Sequence, residues 1–79
     1  MNTVGAIEDS VNLARRERAL LPKEGPTSLS HFEEMLDEVK GPFSEGKRNR
    51  WLGYIQGALV AHGCASLEDV KRINRNHAA

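Results

Sequence analysis

The 79-residue chain has one cysteine, Cys64, so no internal disulfide can form. A small fold without covalent staples points to a reducing compartment, and the cytoplasm is the expected location. Long hydrophobic runs are missing too: nothing approaches the roughly 20 consecutive apolar residues that span a bilayer. The N-terminus also lacks the basic segment and apolar stretch of a secretory signal. The chain is expected to be neither secreted nor membrane-embedded. Large anchors are scarce, with two Phe, one Trp and one Tyr. A chain of this length buries only about 60% of the surface its unfolded form exposes. Such a core is thin, and a second copy of the chain is one partner that would add to it by lending an apolar face.

An excess of charge of one sign is likewise absent, since 11 Lys/Arg balance 11 Asp/Glu. This argues against a general nucleic-acid coat, which needs a large basic surplus. The charges are nonetheless polarised. Met1 to Lys40 holds five basic against eight acidic residues and Gly41 to Ala79 six against three, so the halves carry −3 and +3.

With 39% hydrophobic and 28% charged residues the composition is globular, and the hydrophobic spacing is helical throughout. No segment sustains the two-residue alternation of a strand. The expectation is a single all-α domain over residues 1–79, a small bundle of three to four helices around a long central helix. Ile7, Val11, Ala14 and Leu21 share one stripe, with Leu20 beside it, and define an amphipathic N-terminal helix and flank over 1–21. Pro22 to Ser28, with two prolines and a glycine, reads as a connector. A helical core over 29–75 follows, and residues 76–79 read as a frayed tail.

Within that core, Ser30 and Glu33 have the spacing of a capping box ahead of Phe32, Met35, Leu36 and Val39. Gly41, in the left-handed position, and Pro42 close this helix. Ser44 caps the next, long helix, Glu45 complements its dipole and Gly63 ends it. Trp51, Leu52, Tyr54, Ile55, Ala58, Leu59 and Val60 spread over more than one stripe, as in a helix surrounded by others. Gly53, Gly57 and Ala61 recur every fourth position, although a glycine inside a helix costs about 1 kcal/mol against alanine. Close packing would offset that cost. An internal helix is the simpler occupant of the stripe, and a dimer mate the other. Ser66 and Asp69 open a last short helix.

Chemistry-bearing clusters are few. His31, His62, His77 and Cys64 match no zinc spacing, and His62 is explained as a C-terminal cap. Glu33, Glu34, Asp37 and Glu38 form a solvated acidic face rather than an acid/base site. Cys64 lacks an orienting base and reads as a packed thiol, and the glycines do not have phosphate-loop spacing. No catalytic residue, metal or cofactor is expected.

The surface feature that asks for an explanation is Lys47, Arg48, Asn49 and Arg50 followed by Trp51, because basic residues at a helix N-terminus oppose the local dipole. In one reading, Lys47, Arg48, Arg50 and Trp51 bind a protein partner, Arg and Trp being favoured interface anchors. Alternatively, the basic residues engage the acidic second helix of the same chain. In a third reading the second and third helices form a helix-turn-helix that presents the cluster to DNA. A further helix-turn-helix candidate, Ala58 to Arg75, places Asp69 where that motif needs an apolar residue. Whether Trp51 belongs to the core or anchors a surface is left open.

The run Arg50-Trp51-Leu52-Gly53-Tyr54-Ile55-Gln56-Gly57, with Gly63 at the helix end and Asn74-Arg75 after the next, resembles small uncharacterised proteins encoded by bacteriophages. The resemblance spans about Lys47 to Arg75. It implies no catalytic residue and no particular activity, but it does imply a phage accessory gene acting in the cytoplasm of a bacterial host. Such proteins bind and inhibit or redirect host complexes, so the expected partner is a host protein or nucleoprotein complex. Counter-defence against a CRISPR or restriction system is the most concrete form. A helix-turn-helix-like DNA-binding regulator is the alternative, and an assembly protein a third reading.

Overall fold

The computed structural model describes residues 1–78. It is an all-helical bundle of α1 (Thr3–Arg16), α2 (Leu29–Val39), α3 (Glu45–Ala61) and α4 (Leu67–Asn76), with a 3-10 turn at Arg18–Leu20. Among the described residues no helix is long and apolar enough to cross a membrane.

Although α3 is the longest helix, α1 carries most of the packing and lies against each of the other three. Its Ala6, Ile7, Val11 and Ala14 are fully buried and meet Phe32, Leu36 and Val39 from α2 and Ile55 and Leu59 from α3. Two polar side chains, Ser10 and Gln56, enter this core with their groups bonded. The Ser10 hydroxyl donates to the Ala6 carbonyl at 2.8 Å and accepts from Gln56 Nε2 at 3.1 Å, while the Gln56 and Asn74 amides exchange bonds of 2.9 and 3.2 Å. A fully bonded amide pair thus ties α1, α3 and α4 together where unpaired groups would be costly.

Several local expectations are revised. The N-terminal helix ends at Arg16, and Leu21, read from the spacing as part of its stripe, lies in the flank beyond it. Leu21 precedes Pro22, which disfavours helical geometry, and it is extended at φ −96°, ψ 153°. Its side chain is buried while Leu20 is exposed. The cap of α2 is Ser28, not Ser30: Gly25, at φ +98°, turns the chain so that the Ser28 hydroxyl bonds the Gly25 carbonyl and accepts from His31 N. Glu33, released from capping, pairs with Arg15 of α1 at 2.9 Å. Gly41 does not adopt the left-handed conformation, and the end of α2 is closed by a side chain from α3, described below.

Three other ends follow the sequence reading. Ser44 accepts from Lys47 N at the start of α3, and at its end Gly63, at φ +77°, allows Cys64 N to reach Leu59 O at 2.8 Å and Gly63 N to reach Val60 O at 3.1 Å. Ser66 and Asp69 cap α4 reciprocally at 3.0 and 2.9 Å. The chain after Asn76 is not frayed where it is described. The His77 carbonyl accepts from Asn2 N at 2.8 Å and its ring contacts Asp9 at 2.6 Å, joining the two ends of the sequence. Ala79 lies outside the described residues.

The glycine stripe is the largest revision. A Cβ added at Gly53 or Gly57 would meet no atom within 4 Å, and Ala61 is exposed, so no helix of this chain lies against the stripe. The close-packed glycine is Gly5, where a Cβ would fall 2.5 Å from the Asn2 side chain and 2.7 Å from the His77 ring.

Candidate functional site

Helices α2 and α3, joined through Lys40–Ser44, make a hairpin in which Leu52, Ile55, Gln56 and Leu59 take α3 into the core. Those four positions follow the i, i+3, i+4, i+7 rule and occupy one side of the helix. The opposite side, with Arg50, Gly53, Tyr54, Gly57, Val60 and Ala61, is open to solvent. Thus α3 is not surrounded by other helices.

The basic cluster at its start is divided among three roles. Arg48 is committed inside the chain: its Nε donates to Val39 O and its Nη2 to Gly41 O, both at 2.9 Å, which closes the C-terminal end of α2. It therefore does not belong to a free partner-binding patch. Lys47 Nζ lies 4.3 Å above the Phe43 ring and 5.5 Å from Trp51, and the two rings meet edge to face with centroids 4.8 Å apart. Arg50 is exposed and has no acidic partner among the described residues. Asn49 turns the other way, 3.3 Å from the Thr3 hydroxyl, which also donates to Glu45.

Beside this cluster a groove of about 480 Å³ runs between α2 and α3. Met35, Trp51 and Tyr54 form its apolar lining, Glu34 and Glu38 stand on the α2 rim, Arg50 stands on the α3 rim, and His31 also lines it. Trp51 is half-buried, packed against the core while still presenting a face to the groove. Tyr54 is 42% exposed although its hydroxyl donates to Pro26 O at 2.6 Å, a bond that also pins the connector onto α3. The reading in which the basic residues pair with acidic side chains of α2 is not met: Arg48 bonds the end of α2 through backbone carbonyls, and neither Lys47 nor Arg50 forms an ion pair with an α2 carboxylate among the described residues. Glu34 and Glu38 looked like a solvated face, and nothing in one helix's periodicity reveals that an acidic rim lies across a cleft from a basic one.

The other candidates resolve into structural roles. His62 Nε2 lies 3.1 Å from the Thr27 hydroxyl. Burial, and secondarily Glu17, raises the Cys64 thiol above its ordinary value, which keeps it a poor nucleophile. A second cavity of about 360 Å³ between α1 and α4 places Arg16 and Arg72 among Asp9, Glu17 and Asp69. Among the described residues no three His, Cys, Asp or Glu side chains converge as metal ligands would. Comparison with family models, with curated proteins and with solved structures returns no match, so the site rests on its own geometry.

Proposed function

We propose that the chain is a small accessory protein that binds a host protein or nucleoprotein complex through the α2–α3 groove and blocks or redirects it, without catalysis or cofactor. The observation that carries this reading is the groove's apolar lining, with Met35 buried, Trp51 half-buried and Tyr54 exposed, set between carboxylates on one rim and a guanidinium on the other. Aromatic and Arg side chains around a concave apolar centre are the usual anchors of protein recognition. Together with the sequence resemblance, the host target most in keeping is a defence complex of the CRISPR or restriction type.

The alternative, a helix-turn-helix regulator that presents the start of α3 to DNA, receives less support. Phosphate recognition needs several free cations, whereas Arg48 caps α2, Lys47 lies over two aromatic rings, and Glu34 and Glu38 face Arg50 across the groove.

The discriminating experiment is affinity capture from nuclease-treated bacterial lysate. A specific host protein is expected to be retained, and Arg50→Glu with Tyr54→Ala is expected to release it while the melting curve stays cooperative. Recovery that vanishes with nuclease, accompanied by duplex DNA binding that weakens steeply with salt, would establish the regulator instead.

A further inference from the structure

We infer that, before any host partner is engaged, the same groove is covered by a second copy of the chain, giving a two-fold dimer that the host protein must displace. The inference rests on the groove being a protein-docking surface and adds what occupies it at rest.

The argument is one of charge and symmetry. The groove has an acidic edge, Glu34 and Glu38 on α2, and a basic edge, Arg50 on α3 with Lys47 behind it over Phe43 and Trp51. A two-fold axis along the groove exchanges its edges. The acidic edge of each copy then lies over the basic edge of the other, and the apolar linings meet in the middle. An isologous interface must be self-complementary in this way. Among the described residues Glu38 and Arg50 have no ionic partner, so both remain available.

Two further features favour the arrangement. Gly57 and Ala61 follow Arg50 at i+7 and i+11, so they continue the α3 rim along one face of the helix. A Cβ at Gly57 would meet nothing within 4 Å, which leaves room for a partner backbone to approach. The chain's net charge is zero, so its copies do not repel one another through overall charge.

The test uses purified protein alone and two complementary variants, each checked for helicity by circular dichroism. Light scattering or sedimentation of the unaltered chain at tens to hundreds of micromolar is expected to give the mass of two chains, falling towards one as salt is raised. Glu34→Lys with Glu38→Lys makes both edges basic, and Lys47→Glu with Arg50→Glu makes both acidic. Each variant alone is expected to be monomeric, whereas an equimolar mixture is expected to restore the dimer, since every edge then faces its opposite. An unaltered chain that stays monomeric throughout the range overturns the inference, as does a mixture that fails to associate. No host component enters this measurement, so its failure leaves the host-binding reading standing. Conversely, groove variants that still capture the host protein would remove the host reading from this site while leaving the dimer intact.

Discussion

α1 and the outer side of α3 both contain glycine within a helix, yet they use it in opposite ways. In α1, Gly5 lets the Asn2 side chain and the His77 ring close over the helix, and the neighbouring Ser10 has its hydroxyl fully bonded. On α3, Gly53 and Gly57 face open space, and Arg50 and Tyr54 stand exposed beside them. The first region is built for stability, because its groups are satisfied within the chain. The second keeps apolar and charged groups that the chain does not satisfy, at a cost in helix propensity, and a surface of that kind is expected where recognition occurs.

The largest expected effect lies on the buried side. Ile7 is completely buried where α1 meets the core. Ile7→Ala should destabilise by about 2–5 kcal/mol, through lost transfer energy and the cavity left behind. Urea denaturation reads this as a lower midpoint with a similar slope. A midpoint unchanged from the unaltered chain would mean that α1 does not organise the bundle.

Next comes the glycine contrast itself. At Gly5 a valine would collide with Asn2 and with a His77 ring held by Asp9, and overpacking of this kind costs about 1–3 kcal/mol. It should also free the C-terminal end, which proteolysis from that end would detect. At Gly57 the sign reverses: Gly57→Ala meets no atom and gains helix propensity, so the isolated fold should become more stable by about 1 kcal/mol. A destabilised Gly57→Ala monomer would break the comparison. Higher thermal stability with weaker association would sharpen it.

How much of this was legible in the sequence depended on how local each cause was. The α3 start, the Gly63 stop and the Ser66–Asp69 box were readable because each is written within a few residues. The cap at Ser28 was misplaced because Gly25 decides it, and Ser30 with Glu33 mimics the same spacing. The buried side of α3 was hidden by Gln56, a polar residue at a core position that only its pairing with Asn74 and Ser10 makes acceptable. With Gln56 discounted, Trp51, Tyr54 and Val60 fill in the apolar pattern and the helix looks surrounded. The groove was least legible, since Glu34, Glu38 and Arg50 gain meaning only when the hairpin sets two helices side by side.

The smallest expected effect separates the two regions by pH. Backbone and side-chain bonds from Ser66, aided by Arg72, hold the Asp69 carboxyl below the ordinary carboxylate value of 3.8. For a group whose folded value is depressed, the contribution to stability is complete above the unfolded value and fades as pH falls through the folded one. The α4 cap should thus hold above about pH 4 and weaken only below it, when protonated Asp69 no longer accepts well from Ser66 N. Because α4 packs on α1 and the groove belongs to α2 and α3, this loss should appear first at α4 and the pinned His77 end. Hydrogen exchange at moderately acidic pH, comparing amides of α4 with those of α3, reads it directly. Asp69→Asn, which caps poorly at every pH in this reciprocal geometry, should remove the contrast between pH 3 and pH 5. Equal acid sensitivity of α3 and α4 in the unaltered chain would mean that the two regions open as one unit, and that the division between a stabilising side and a recognising side does not extend to their dynamics.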